Sequence, residues 1–126
     1  MIAYTTTAST TTNLKAVLAA TKTTNDLQVT VMFHDVLRQI RPDDNPLQTG
    51  PQYSLLTTIN VEVEICAAPA TGVNRFIDSI HINNNDTVAA TVTVFLDDGT
   101  NRILVKKTLQ VGQSLIYSVA GGWQIV

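Results

Sequence analysis

Residues 88–109 read VAATVTVFLDDGTNRILVKKTL, and this stretch decides the fold class. Its first half alternates apolar residues with small or polar ones, which is the period of two of a strand that buries one face. The apolar positions are Val88, Ala90, Val92, Val94 and Leu96. The turn residues Asp97, Asp98 and Gly99 then close this strand into a hairpin with residues 102–109. The stretch therefore predicts two antiparallel strands.

Comparable patterns lie on both sides of this hairpin. Strands are predicted at residues 27–33, 55–65, 76–82, 114–118 and 123–126, the second of them long and with Leu55 on its buried face. Turn residues separate these strands by about 8 to 12 residues, a spacing typical of antiparallel sandwiches and barrels. We predict an all-β fold, an antiparallel, jelly-roll-like β-sandwich of about six to eight strands.

The N-terminal part has a weaker signal. Its first residues are dominated by threonine, and residues 14–20 are compatible with one or two helical turns that Asn13 would cap. We predict an extended N-terminal arm over residues 1–26 and a single β-sandwich domain over residues 27–126, which includes a loop at residues 34–52. A chain of 126 residues fits one domain with a core of its own.

Composition limits the classes of partner. The 10 acidic and 8 basic residues leave a formal net charge of −2, and 14% of the residues are charged. This balance supplies no basic surface for nucleic acid or for an anionic membrane, so neither is predicted as a partner. Apolar residues make up 44% of the chain, and so low a charge favours a surface that other subunits partly cover. We predict an assembly component.

The single cysteine and the N-terminus bear on the compartment. Cys66 cannot form an internal disulfide and is expected to be a buried, inert thiol. The N-terminus lacks the positively charged region of a secretory signal, and the apolar stretch 16–20 is too short to span a bilayer. We expect an intracellular product that is neither exported by a signal peptide nor bound to a membrane.

Two histidines are the candidate bases for nucleophilic catalysis. His34 precedes Asp35 near a strand end, and His81 lies between Ile80 and Ile82, so that its side chain is expected to face away from the core. Neither belongs to a nucleophile signature such as G-x-S-x-G. We interpret His81 as an ordinary surface or interface histidine and His34 as a residue with a strand-end or loop role.

Two carboxylates, Glu62 and Glu64, are expected side by side on one strand face because they are two residues apart. A hydrolase that uses either of them is one alternative, although glycosidases normally bring such a pair together from different elements. We interpret them as solvated glutamates, with Lys106 and Lys107 as candidate cross-strand partners. The sequence thus predicts no catalytic residue and no enzyme.

Three oxygen-rich turns are candidate calcium sites, because calcium takes about six to eight oxygen ligands. These turns lie at residues 43–45, 83–86 and 97–98. None has the spacing of a calcium-binding loop, and Asp and Asn also favour turns for steric and hydrogen-bonding reasons. We predict no metal ion and no cofactor.

The long loop before residue 53 is the candidate partner-binding region, because loops of this length in compact domains tend to be functional. We predict that partners are bound by Pro42, Asp43, Asp44, Pro46, Leu47, Pro51 and Trp123. Trp123 follows two glycines and is interpreted as a core plug or a subunit contact. Sugar-binding sites commonly use an exposed aromatic ring, and Trp123, Tyr117 and Phe95 are the candidates for such a ring.

Several short stretches of strand and turn residues together form a pattern that can be compared with known protein families. They are Ala67-Ala68-Pro69-Ala70, Arg75-Phe76-Ile77-Asp78-Ser79-Ile80, Asn83-Asn84, Thr91-Val92-Thr93-Val94, residues 109–115 and Gly122-Trp123-Gln124-Ile125-Val126. Residues 19–27, which lead into a strand and Asp35, belong to the same pattern. These stretches resemble the virion structural proteins of tailed bacteriophages, of the small β-sandwich type that decorates capsids.

The resemblance implies a function. It implies a β-sandwich that assembles as an oligomer, often a trimer, and a capsid cement or decoration protein that stabilises the phage head by bridging major capsid subunits. The implied partners are two further copies in a homotrimer and the major capsid protein, and the implied location is the capsid surface of the virion. The alternative is a tail, neck or fibre component, with or without host-glycan binding through Trp123 or Tyr117.

Overall fold

The computed structural model describes residues 1–19, 22–38 and 47–126. In these ranges the chain forms ten strands and no helix. The strands are β1 (Ile2–Thr5), β2 (Asn13–Ala19), β3 (Leu27–Leu37), β4 (Gln52–Leu56), β5 (Val63–Cys66), β6 (Val73–Asn83), β7 (Ala90–Asp97), β8 (Asn101–Leu109), β9 (Ser114–Ser118) and β10 (Gly122–Ile125). The described residues therefore have an all-β fold.

The strands form two sheets, and every pair of neighbouring strands is antiparallel. The larger sheet has the order β10-β9-β6-β3-β4, and β1 pairs with the first half of β6 while β9 pairs with its second half. The smaller sheet has the order β5-β2-β7-β8. The prediction of an antiparallel β-sandwich is confirmed, with ten strands instead of the predicted six to eight.

The apolar core lies between the two sheets. Its fully buried side chains include Leu14, Leu18, Ile77, Ile80, Ile82, Val92 and Val94. Cys66 belongs to this core, as predicted, and burial raises the pKa of its thiol. The predicted hairpin is also confirmed: β7 pairs with β8, and Gly99 has a φ of 98°, a left-handed backbone conformation that favours glycine.

The N-terminal residues are built into both sheets, so the prediction of an arm over residues 1–26 is wrong. Strand β1 buries Ile2 and Tyr4 against the core, and β2 lies between β5 and β7 in the smaller sheet. The alternative of helical turns at residues 14–20 is also wrong for the described part. Strand β2 carries apolar side chains on both faces, so its sequence does not show a period of two. The threonines that dominate the first residues are compatible with strands.

The predicted long strand at residues 55–65 is divided in two. Strand β4 belongs to the larger sheet and β5 to the smaller one, and the chain crosses between them at Asn60. Asn60 has a φ of 59°, and its backbone N–H donates to the carbonyl of Leu18 at 2.7 Å. Asparagine tolerates this left-handed conformation better than most residues. The continuous apolar alternation conceals the crossing.

Candidate partner-binding surface

A buried ion pair joins the middle strands of the larger sheet. Arg75 of β6 lies directly opposite Asp35 of β3, and both side chains are 1% exposed. The Arg75 Nε atom donates to Asp35 Oδ1 at 2.7 Å, and Nη2 donates to Oδ2 at 2.9 Å. Burial alone would lower the pKa of Arg75, but the hydrogen bonds and charge of Asp35 outweigh it and raise that pKa. The pair is bidentate and therefore geometrically specific.

The same pair fixes the segment that precedes β4. The Asp35 Oδ2 atom accepts the backbone N–H of Gln48 at 3.0 Å, and the backbone N–H of Asp35 donates to the Gln48 carbonyl at 3.0 Å. Arg75 Nη2 also donates to Gln48 Oε1 at 3.0 Å, and Nη1 donates to the Ala67 carbonyl at 2.7 Å. Gln48 is thus held through both its backbone and its side chain.

Gly50 keeps this segment close to β3. Its backbone N–H donates to the Phe33 carbonyl at 2.8 Å, and the Gly50-Pro51 peptide is cis. A Cβ atom on residue 50 would lie 2.9 Å from the backbone nitrogen of Phe33 and from the Val31 carbonyl oxygen. Beneath, the Arg75 guanidinium lies 4.1 Å from the centroid of the Phe33 ring. Residues 47–51 therefore continue the edge of the sheet as an ordered, extended segment.

This anchored edge presents apolar side chains to solvent. His34 bridges to Thr49, and continuing that register places Val36 beside Leu47 and Met32 beside Pro51 on the outer face of the sheet. Leu47 is 50% exposed, Val36 44% and Met32 39%, and Pro51 is also exposed. We call Met32, Val36, Leu47 and Pro51 the apolar patch. The exposed pair His34 and Thr49 lies between the two apolar pairs of this patch. Apolar side chains that are held in place before binding lose little conformational entropy in a complex, which suits a binding surface.

The predicted partner-binding residues lie in different parts of the structure. Leu47 and Pro51 are exposed on the apolar patch. The predicted residues Pro42, Asp43, Asp44 and Pro46 lie outside the described ranges. Trp123 lies on β10, apart from the patch along the strand order, and packs against the core. The predicted residues therefore do not form a single site with Trp123.

The aromatic residues expected to be available to a sugar are largely buried. Tyr117 is 4% exposed and Phe95 is 2% exposed, so neither forms a surface platform. The Tyr117 hydroxyl accepts the backbone N–H of Ile2 at 2.9 Å, and its ring lies 5.0 Å from that of Trp123. Trp123 is partly buried against the core, in agreement with its interpretation as a core plug.

Sequence reasoning missed the most exposed aromatic residue. Tyr53 of β4 is 74% exposed, and Leu55 on the same face is 50% exposed, whereas Leu56 is buried. The prediction that Leu55 lies on the buried face is therefore wrong, because the strand register places Leu56 opposite Leu27 instead. Two adjacent leucines left the face ambiguous. Beside these residues lies a cleft of about 640 Å³, lined by residues 28–30 of β3 and 53–55 of β4.

Both histidines lie on the outer surface of the larger sheet. His81 is exposed, as predicted from its place between two buried isoleucines. The prediction that the loop begins at residue 34 is wrong, because β3 continues to Leu37 and His34 lies inside it. The His34 Nδ1 atom is 2.9 Å from both carboxylate oxygens of Asp78, and its ring stacks on that of Phe76 with centroids 5.3 Å apart. His34 thus pairs with a carboxylate on the neighbouring strand and not with the adjacent Asp35.

The two glutamates have separate partners. Glu62 lies before β5, where Oε2 is 3.7 Å from Lys15 Nζ and Oε1 accepts the Asn101 side chain at 3.1 Å. Glu64 accepts a hydrogen bond from the side chain of Asn13. The charged partner of Glu62 is therefore Lys15 on β2. Neither Lys106 nor Lys107 contacts Glu62 or Glu64 in the described residues, so the predicted cross-strand pairs are not supported. Lys15 lies on β2 and Asn101 lies on β8, and these two strands flank β7. The Glu62 carboxylate therefore contacts both neighbours of β7.

The oxygen-rich turn at residues 83–86 forms hydrogen bonds with the segment that connects β2 to β3. The Asp86 carboxylate accepts the backbone N–H groups of Thr23, Thr24, Asn25 and Thr87 at 2.8 to 3.1 Å. These hydrogen bonds, that of Thr23 first, hold the pKa of Asp86 well below its usual range. Within the described residues, no three His, Cys, Asp or Glu side chains are grouped so as to hold a metal ion.

Asp86 gives a prediction about acid stability. Because its pKa is lower in the folded chain, its contribution to stability is present above the usual carboxyl pKa near 4 and is lost as pH falls through the lower folded value. We expect Asp86→Ala to be less stable than the parent at pH 7, and the difference to shrink below about pH 4. Urea unfolding of both proteins across this range measures it. Asp26→Ala, which removes a partly exposed i,i+4 pair with Lys22, is the control, and an equal loss in both variants would contradict the prediction.

Comparisons of the chain with protein-family models, with curated proteins and with solved structures found no significant match. In the described ranges there is also no helix of the length and hydropathy that a membrane crossing requires.

Proposed function

We propose that this chain is a structural, non-catalytic assembly protein that binds its partners through the apolar patch. The observation that carries the proposal is the combination of exposed Val36 and Leu47 with the buried Arg75–Asp35 pair that holds the segment in place. A segment that is ordered before binding loses little conformational entropy in the complex. The apolar side chains then supply favourable desolvation when a partner covers them.

More specifically, we propose a capsid decoration protein of a tailed bacteriophage that acts as a homotrimer and bridges major capsid subunits at the virion surface. Three features support this proposal: the stretches that resemble phage virion proteins, the β-sandwich, and the apolar patch on an anchored sheet edge. A cement protein acts by adding contact area between capsomers, and an interface of about 1,600 Å² is the usual size for a stable complex. No chemical step is needed for that role.

Binding to undecorated phage capsids tests the proposal. We expect the purified protein to co-sediment with capsids, to saturate at many copies per particle and to raise the temperature at which the particles release DNA. We expect the double variant Val36→Ser, Leu47→Ser to bind at least about tenfold more weakly, a change of about 1.4 kcal/mol, because it removes apolar area from the patch.

Ile103→Ser is the matched control for this experiment. Ile103 is 66% exposed, but it lies on β8, an edge strand of the smaller sheet. Its substitution should leave capsid binding unchanged. Equal binding by the patch variant and the parent would show that the patch is not the interface, and absence of binding by the parent would reject the decoration role.

A further inference from the structure

The cleft on the outer face of the larger sheet lies beyond the apolar patch and has a different character. The strand register places Thr30 between Tyr53 of β4 and His81 of β6, and places Gln28 beside Leu55. These side chains share the outer face because the side chains of a strand alternate between its two faces. The cleft is thus an open site that an aromatic ring borders on one side and polar groups border on the other.

Of the polar groups at this cleft and its rim, the Ser54 hydroxyl donates to the Glu64 carbonyl at 3.3 Å, and the others are free to bind a ligand. Within the part of the chain that the structure describes, the side chains of Gln28, Thr30, Tyr53 and His81 form no hydrogen bond to another residue. An amide, two hydroxyls and an imidazole therefore face the cleft or its rim with donors and acceptors to spare. The six lining residues, Gln28, Val29, Thr30, Tyr53, Ser54 and Leu55, carry no charge. The site is matched to a neutral ligand.

The Tyr53 ring defines the shape of that ligand. With 74% of the residue exposed, most of the ring is available for stacking. The face of an aromatic ring is electron-rich and attracts the polarised C–H groups of a flat, partly apolar molecule. A pyranose ring presents such C–H groups on one face and hydroxyls around its rim. A volume of about 640 Å³ accommodates one or two sugar rings and lies in the range of small-ligand sites.

We propose that this cleft binds a neutral saccharide. The sugar ring stacks on Tyr53, and its hydroxyls hydrogen-bond to Gln28 and Thr30, with His81 reaching a second ring in an oligosaccharide. Charged ligands such as nucleotides fit poorly, because the lining offers no cation to a phosphate. The proposal does not rest on the assembly role, which uses Val36 and Leu47 at the other end of the same sheet edge.

An NMR titration of the full chain with maltose, lactose and N,N′-diacetylchitobiose tests the proposal. We expect at least one of these sugars to shift the amide resonances of Thr30 and Tyr53 in a saturable way, with a Kd of about 1 mM. We expect Tyr53→Ala to weaken that binding at least about tenfold. Tyr53→Phe, which keeps the ring and loses the hydroxyl, should weaken it by less than about threefold.

Two controls separate this site from the apolar patch and from loss of folding. Leu47→Ser and Ile103→Ser leave the cleft intact and should bind the sugar as the parent does. All the substituted side chains are exposed, so thermal unfolding should show little change. No saturable shift with any of the sugars up to about 50 mM, well above such a Kd, would overturn the proposal. Unchanged binding by Tyr53→Ala would also overturn it.

The length of the saccharide distinguishes the two possible sources of the ligand. Affinity that rises from the monosaccharide to a neutral polysaccharide indicates a cell-surface glycan, and affinity that stays constant indicates a free sugar or a chain end. Both outcomes support a saccharide site. The first outcome would also favour the tail, neck or fibre alternative, because contact with the host surface is the task of those components.

Discussion

The Arg75→Met variant is expected to lose about 3–5 kcal/mol of the free energy of unfolding. The substitution keeps much of the apolar volume but leaves the Asp35 carboxylate, 1% exposed, without its counter-charge. It also removes the donors to the Ala67 carbonyl and to the Gln48 side chain. An unpaired buried charge costs far more than the pair itself contributes. Urea unfolding with a constant m-value measures the loss.

Two further variants separate the cost of an unpaired buried charge from that of losing any ion pair. Arg102→Met removes an exposed pair with Asp98, in which the arginine side chain is 64% exposed, and should cost at most about 1 kcal/mol. The double variant Arg75→Met, Asp35→Leu should recover much of the stability, because both charges are gone. A loss in Arg75→Met no larger than that in Arg102→Met would contradict the anchoring role of Arg75.

The same variant connects stability to binding. Arg75 holds Gln48, and Gln48 holds the segment that presents Leu47. Without that anchor, the apolar patch must become ordered at the moment of binding, which costs conformational entropy. The assembly proposal therefore leads us to expect weaker capsid binding by Arg75→Met under conditions in which the variant is still folded.

The Asn84→Ala variant is expected to lose about 2–4 kcal/mol. Asn84 is fully buried, and its side-chain amide donates to the carbonyls of Val88, Leu109 and Gln110 at 3.0 to 3.2 Å. Its side-chain oxygen accepts the backbone N–H of Asp86 at 3.1 Å. Alanine removes all of these bonds, and two of the backbone groups, the Leu109 carbonyl and the Asp86 N–H, bond to Asn84 in buried positions. A buried backbone group left without a partner costs about 1–3 kcal/mol.

Asn85→Ala is the matched control for this prediction. Asn85 has the same side chain one position later and is exposed. Its substitution should change the free energy of unfolding by less than about 0.5 kcal/mol. Thermal and urea unfolding of the two variants, measured side by side, compare a buried with an exposed asparagine in one turn. Similar losses in both would show that the turn and not the buried amide stabilises the fold.

Some of these features were predictable because they depend on a few neighbouring residues. The alternation around Val92, the turn at Gly99 and the outward direction of His81 follow from a period of two and from turn chemistry. The exposure of Leu47 and Pro51 follows from their place in a loop rich in turn residues. Trp123 was predicted both as a core plug and as a partner residue, and the core reading agrees with its packing.

Other features depend on residues that are distant in sequence. Arg75 and Asp35 are 40 residues apart, and neither position suggests a buried charge until β3 and β6 are paired. Tyr53 becomes a candidate ligand platform only when β4 is placed beside β3 and the cleft is visible. The apolar patch likewise combines residues of two strands.

By itself, the sequence determined that this chain is an antiparallel β protein, because alternation and turn residues act over a few positions. Only the tertiary structure decided that the N-terminal residues complete both sheets, that the chain changes sheets at Asn60, and that Leu56 and not Leu55 faces the core. The physical reason is that a period of two defines two faces of a strand without saying which face is buried. Burial and strand neighbours are set by the packing of the whole chain.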